Sequence, residues 1–233
     1  MNTGILSEVS EAETPEALFE LMYDYFRGQG FGGICYAAPE TVTGPYTLFE
    51  RGMPAEWINR YRDHSLDRFD PIPGLSFRLG HPERLDELIR RLTNLSVDER
   101  EFIAAAQSSG LTNALMIPTY GPFGRPALIG LGQIAHPDLL DDIDLHLVSA
   151  VAQQIHIRME LLQCAEPPPG LSPREREVLR WLVKGKSQGD IAAILAISEP
   201  TVATHIRRLY HKLGVQDRVS AVTKAVARHY DQP

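Results

Sequence analysis

The sequence predicts two domains of different class. Residues 1–165 read as an α+β domain, an α/β/α sandwich with a mainly antiparallel sheet. Residues 171–233 read as an all-α four-helix domain built around a helix-turn-helix. Three observations predict this. First, strand and helix periodicities mix before residue 165, whereas only capped helices follow residue 171. Second, Glu166-Pro167-Pro168-Pro169-Gly170 lies between them; consecutive prolines fix φ and remove backbone donors, so neither helix nor sheet continues through. Residues 166–170 are therefore a stiff linker. Third, charge changes sign at that point. Residues 171–233 hold 11 Lys and Arg against 6 Asp and Glu, while residues 1–170 hold 12 Arg, no Lys and 24 Asp and Glu. The net charge of −7 argues against a nucleic-acid partner only if this asymmetry is ignored.

Taken in order, residues 15–27 place Leu18, Leu21, Met22, Tyr25 and Phe26 at helical spacing behind Thr14 and Pro15. Residues 31–38 and 46–49 read as strands. Residues 54–64 read as a helix. Ser96-Val97-Asp98-Glu99 is a capping box that opens a helix through residue 107. Residues 114–119 and 127–134 read as a strand pair joined by the Gly/Pro-rich turn 120–126. Residues 138–163 read as one long helix with Leu139, Ile143, Leu147, Val151, Ile155 and Leu162 near one face. The interior of such a sandwich has room for a ligand.

After the linker, Ser172, Pro173 and Glu175 make a capped helix start, with Val178, Leu179 and Leu182 on its apolar face and Gly185 at its end. Ser187 caps a short helix, residues 190–195, with Ile191 and Ile194 turned inward. After a break at Ala196-Ile197, Ser198 caps a third helix, residues 199–213, ended by Gly214. Asp217 caps a fourth, through about residue 228. A short helix, a tight turn and a longer basic helix make up a helix-turn-helix. On the third helix Val202, Ile206, Leu209 and Leu213 face the core, so Ala203, Thr204, Arg207, Arg208 and His211 face outward. Arg can donate two hydrogen bonds to guanine O6 and N7 in the major groove, and Thr offers a hydroxyl and a methyl. Lys186, Ser187, Thr201 and Lys212 fall where phosphates would pass and would supply affinity rather than base choice.

These residues carry a resemblance. Leu171-Ser-Pro-Arg-Glu-x-Glu-Val-Leu, Gly185-Lys-Ser, Ile191-Ala, Ile197-Ser-x-x-Thr-Val and Lys212-Leu-Gly-Val closely resemble the DNA-binding domain of LuxR-type regulators across nearly all of 171–225. The resemblance implies base contacts from Ala203, Thr204 and Arg207 and dimerisation through the fourth helix. Trp57-x-x-x-Tyr61 followed by Asp70-Pro71, ahead of such a domain, resembles the autoinducer-binding domain of the quorum-sensing members. Trp57 and Tyr61 share a helical face. Taken alone they are an aromatic core pair, and Asp70 is a cap for a helix starting at Pro71. The resemblance implies instead that the Trp57 indole N–H bonds a lactone carbonyl, the Asp70 carboxylate accepts an amide N–H, and Tyr61 lines the pocket.

The chain also departs from the family pattern. Met53 stands where a Tyr is frequent, Leu85 where a second Trp is usual, Ala114 near an expected Gly, and Gly132 roughly where a pocket hydroxyl often sits. They predict a pocket of altered shape, of the kind found in an orphan ("solo") member. The expected function is a cytoplasmic transcriptional regulator. It would bind a palindromic operator in double-stranded DNA as a homodimer, with RNA polymerase as a further partner. Its signal would be an N-acyl-homoserine lactone or related small molecule. The alternative is a ligand-independent regulator whose first domain dimerises or binds a protein.

Other classes find no support. The chain has no Gly-rich phosphate loop, HExxH or nucleophile elbow, so neither catalytic residues nor a cofactor are expected. Cys35 and Cys164 have no metal-ligand spacing and read as free thiols. The eight histidines are scattered, with His64 and His81 reading as surface or capping residues. No apolar run reaches the ~18 residues of a membrane span.

Overall fold

The computed structural model describes residues 4–39, 46–63, 66–122, 125–134, 136, 138–164, 170–227 and 230. The described residues divide into two compact units, one running through residue 160 and the other from residue 161 on. Linker residues 166–169, His64, Arg228 and part of the 120–126 turn lie outside the described residues, as does the Cys164 side chain.

The first unit begins with α1 (Gly4–Glu11) and α2 (Pro15–Gly28), the latter capped by the Thr14 hydroxyl, which accepts from Ala17 N at 3.1 Å. The hairpin β1 (Phe31–Pro39) and β2 (Tyr46–Arg51) follows. Next come α3 (Ala55–Asp63), a 3-10 turn at Leu66–Phe69, α4 (Ile72–Leu79), β3 (Glu83–Arg84), α5 (Leu85–Arg91) and α6 (Val97–Ser108). The hairpin β4 (Leu115–Tyr120) and β5 (Pro126–Ile134) completes an antiparallel sheet of order β2-β1-β5-β4-β3. The α6 capping box forms as expected, with Glu99 N on Ser96 Oγ and Ser96 N on Glu99 Oε2.

Strand alternation sorts the sheet into two faces. Ile34, Tyr36, Ile117, Ile129 and Leu131 are fully buried on the face covered by α2 and by the C-terminal helix of the unit. The opposite face meets α3 to α6 through two apolar clusters, one around Trp57, Ile58 and Phe102 and one around Ile72, Leu88 and Leu128. This is the expected α/β/α sandwich. Gly52 is required at its place: it sits at φ +73, and a Cβ there would collide with the carbonyl oxygen of Gly32.

The expected single helix over 138–163 is instead two helices, α7 (Leu139–Asp142) and α8 (Leu145–Cys164). Asp144 breaks it, because its Oδ1 accepts from the N–H groups of His146 and Leu147 and starts a new helix. The break rotates the buried face to Val148, Val151, Ala152, Ile155 and Met159, leaving Leu147 exposed. Helices α1 and α5 are not anticipated by periodicity, being too short for a repeating apolar stripe.

α8 is pinned to the sheet by polar contacts. Tyr36 O–H donates to His156 Nδ1 and His156 Nε2–H donates to the Arg125 carbonyl, both at 2.9 Å. Burial holds the His156 pKa below its ordinary value, which keeps this arrangement neutral.

The second unit is α9 (Pro173–Val183), α10 (Gln188–Leu195), α11 (Glu199–Leu213) and α12 (Arg218–Ala227). Ser172, Ser187, Ser198 and Asp217 cap these helices in turn. Ala196, in the left-handed region at φ 52, makes the turn between α10 and α11. The core holds Val178, Leu179, Leu182, Ile191, Val202, Ile206, Leu209 and Leu213. Ile194 is not in it: it is 43% exposed, and Ala192 is buried instead. On a helix this short the inward face is narrow, and Ile191 with Ala192 fills it.

Candidate functional site

Helix α3 places Trp57 and Tyr61 one turn apart, and Phe102 from α6 closes a triangle with them. Ring centroids are 6.0 Å apart for Trp57–Tyr61, 5.3 Å for Trp57–Phe102 and 6.1 Å for Tyr61–Phe102. Asp70 sits at the start of α4 with Oδ1 accepting from Ile72 N at 2.9 Å and Oδ2 accepting from Tyr61 O–H at 3.2 Å. Asp70 thus ties down the first turn of α4 and also lines a pocket. That pocket is a cavity of about 120 Å³ between the sheet and α3 to α6.

All six residues singled out from the sequence, Met53, Trp57, Tyr61, Asp70, Leu85 and Ala114, line this one cavity. They come from segments up to sixty residues apart, so the fold alone brings them together. Trp57 is 5% exposed, and its indole N–H has no acceptor among the described residues. Of the sheet floor only Gly132 was singled out; Cys35, Met116 and Gly130 also line the cavity. Strand alternation was the signal available, since Gly130 and Gly132 lie two apart on one face. Burial, then the nearby Glu50 and Asp70 charges, push the Cys35 thiol up to about 12, so it is neutral and inert at physiological pH.

In the second unit α11 presents Ala203, Arg207 and Arg208 exposed and Thr204 half-buried. The Thr204 hydroxyl donates to the Pro200 carbonyl at 3.0 Å, leaving its methyl and an oxygen lone pair outward. Lys186, Ser187 and Thr201 are exposed near the α10 and α11 N-termini, where helix dipoles also favour phosphate. Ser187 shares its hydroxyl with Asp190, and Thr201 shares its hydroxyl with Ser198.

Lys212 has a structural task. Its ammonium donates to Glu175 Oε2 at 2.7 Å and to the Gly170 carbonyl at 2.8 Å. Burial works to raise the Glu175 pKa, but Lys212 and the Ser172 N–H and hydroxyl outweigh it and hold the carboxyl below its usual range. Three other cations close helix ends: Arg218 on Leu182, Arg174 on Leu195 and Lys224 on Leu213. Part of the positive charge of this domain is thus spent on its own fold. Arg207, Arg208 and Lys186 remain exposed.

Residues 14–159 match the family model of the autoinducer binding domain, and residues 169–225 match that of the bacterial regulatory proteins, luxR family. The chain is 33% identical to the transcriptional activator protein BjaR1 of Bradyrhizobium diazoefficiens over 184 residues, 78% of this chain and 74% of that protein. It is 26% identical to the HTH-type quorum-sensing regulator RhlR of Pseudomonas aeruginosa, over 96% of this chain and 93% of the other. Among solved structures, that of Escherichia coli SdiA is similar in fold, with TM-score 0.71 and 20% identity over 99% of this chain and 97% of the other. SdiA in complex with octanoyl-rac-glycerol gives TM-score 0.70 at 19% identity, over 97% and 93%. The chain belongs to the LuxR family of transcriptional regulators, with an autoinducer-binding domain followed by a luxR-type DNA-binding domain.

Proposed function

We propose that this regulator binds an N-acyl-homoserine lactone in the cavity of its first domain and an operator in double-stranded DNA through α11. The observation that carries this reading is the convergence of an unpartnered Trp57 N–H, the Tyr61 hydroxyl and the Asp70 carboxylate on one otherwise apolar cavity. A donor and a part-buried carboxylate at one end of an apolar cavity suit a ligand bearing both an acceptor and a donor, and an acylated amide with a lactone carbonyl has both. The ligand is a signal, and the site holds no nucleophile poised for chemistry. A cavity so built also disfavours the ligand-independent alternative.

On DNA, Arg207 and Thr204 read base edges, Ala203 offers a methyl contact, and Lys186, Ser187, Thr201 and Arg208 meet phosphate. Lys212 sets the position of α9 against α11 rather than contacting DNA. Val219 and Val226, exposed on α12, suit packing against a second copy, which would read a palindrome with half-sites about one helical turn apart. RNA polymerase is the expected further partner of a DNA-bound activator. No helix among the described residues is long and apolar enough to cross a membrane, and a cytoplasmic place beside the chromosome fits the role.

A thermal melt of the full chain with N-octanoyl-homoserine lactone tests the reading. A saturable rise in melting temperature, lost in Asp70→Asn, is expected, because a ligand bound only to the folded state adds stability. No rise with any acyl-homoserine lactone would overturn it.

A further inference from the structure

Arg218 stands where its own helix does not favour it. It is the first residue of α12, directly after the Asp217 cap, and that helix has no acidic residue in its first turn. A cation at a helix N-terminus meets the positive end of the peptide dipoles, so the position suits Asp or Glu better than Arg. Its use lies elsewhere. The half-buried guanidinium donates through Nη2 to the Leu182 carbonyl at 3.0 Å and through Nη1 to the Lys186 carbonyl at 2.9 Å. The first contact closes α9. The second lands on the turn that leads from α9 into α10.

That turn carries Lys186 and the Ser187 cap of α10. Gly185 enters it in the left-handed region at φ +78, with its N–H on the Leu182 carbonyl at 3.0 Å. The Lys186 N–H donates to the Trp181 carbonyl at 3.0 Å. With Arg218 on its carbonyl, Lys186 is held at both of its backbone polar groups, while its side chain is exposed. The neighbouring Lys184 is engaged otherwise: its ammonium lies over the Trp181 ring, 4.7 Å from the centroid. α12 is in turn tied to the end of α11, where the Lys224 ammonium donates to the Leu213 carbonyl at 2.8 Å. A chain of contacts therefore runs from α11, through α12, to the turn that bears Lys186.

Resting on the proposed DNA reading, we infer that Arg218 is a positioning residue for DNA binding. It makes no contact with DNA itself. It fixes the Lys186 backbone so that the Lys186 ammonium meets a phosphate while α11 lies in the groove. A forked guanidinium suits this task because it serves two carbonyls at once; a lysine is shorter, has one nitrogen and cannot hold both in place.

The salt dependence of DNA binding tests this. Each phosphate neutralised by a protein cation releases counterions, so the slope of log affinity against log salt counts such contacts at about 0.9 each. The full chain, with N-octanoyl-homoserine lactone present, is titrated against a labelled duplex selected from a random pool, and anisotropy is followed across a salt series. Lys186→Ala should lower the slope by about 0.9 per protomer. Arg218→Gln and the charge-conserving Arg218→Lys should each lower it by close to the same amount. The double variant of Lys186→Ala with Arg218→Gln should fall no further than Lys186→Ala alone. Preference for the selected duplex over a scrambled one should change by less than about twofold, since the base-reading side chains are untouched. A mere loss of folded protein would scale affinity alike at every salt concentration and leave the slope unchanged. Should Arg218→Gln fail to fold, Arg218→Lys, which keeps a cation at the end of α9, carries the test.

A wild-type slope in the Arg218 variants, with a lowered slope in Lys186→Ala, would overturn the inference and leave the DNA reading intact. Additive losses in the double variant would also overturn it, because Arg218 would then meet a phosphate of its own. An unchanged slope in Lys186→Ala would remove the phosphate contact and the inference with it. A chain that retains no duplex at all would overturn the DNA reading on which the inference rests.

Discussion

The two units solve opposite packing problems. In the second unit, four helices begin on a side-chain cap and three end on a donated cation, and the core residues Val178, Leu179, Val202 and Leu209 are fully buried. In the first unit, the fully buried strand residues Ile34, Tyr36, Ile117, Ile129 and Leu131 lie on one face of the sheet, while the other face borders a cavity edged by a carboxylate and an indole N–H. The difference follows from what each must recognise. A surface that reads a DNA groove needs its side chains held on a rigid scaffold that is complete without its target. A site that encloses a small molecule must leave space inside its core, and a hollow core is less stable until it is filled.

The largest expected effect tests that contrast directly. Leu179→Ala removes a fully buried side chain from the complete core and should cost about 3–4 kcal/mol. Leu85→Ala enlarges a space that already exists and should cost about 2 kcal/mol, at the low end of the range. The two tryptophans serve as reporters: Trp57 lies in the first unit and Trp181 packs against the core of the second. Urea unfolding of Trp181→Phe and Trp57→Phe backgrounds gives the two costs separately, and equal costs would break the comparison.

Next in size is Asp70→Asn. It should weaken binding of N-octanoyl-homoserine lactone by about 2 kcal/mol, since a charged acceptor is lost. Stability of the ligand-free protein should fall by only about 1 kcal/mol, as the Asn oxygen can still accept from Ile72 N. Unfolding of the first unit in this variant would show that the cap outweighs the pocket.

On the rigid unit, Arg207→Ala should weaken operator binding by about 1–3 kcal/mol while leaving Trp181-monitored unfolding unchanged. Unchanged affinity in a gel-shift titration would reject α11 as the reading surface.

The smallest effect concerns pH. The Glu175 carboxyl is held low in the folded domain, so its stabilising contribution is complete above the ordinary Glu value of about 4.3. It is lost as pH falls through the lowered folded value. Acid unfolding followed by Trp181 should therefore flatten in Glu175→Gln over that window. An identical acid profile would mean that the Lys212–Glu175 pair contributes nothing to holding α9 against α11.

The second unit was the more legible of the two. Its cap residues act on groups two or three positions away, so Ser172, Ser187, Ser198, Asp217 and the terminal Gly214 mark helix ends without reference to the rest of the fold. The same locality would have located the break before α8, where Asp144 is a cap inside an apolar pattern. What sequence reasoning missed there is long-range: Lys212, placed among phosphate contacts by its position, meets Glu175 thirty-seven residues away. Ile194 was misplaced because periodicity gives the direction of a side chain but not the width of the face that receives it.

In the first unit the sequence by itself determined the main strands and the longer helices, the helical pairing of Trp57 with Tyr61 and the place of Asp70 ahead of a helix. These are i,i+4 and i,i+2 relations, settled by backbone geometry. Only the tertiary structure decided that these three groups, with Met53, Leu85 and Ala114, surround one cavity, and that Cys35, Met116, Gly130 and Gly132 form its floor. A cavity is the space left between elements. Its shape depends on strand register and on side chains that are distant in the chain, and no local pattern encodes where packing stops.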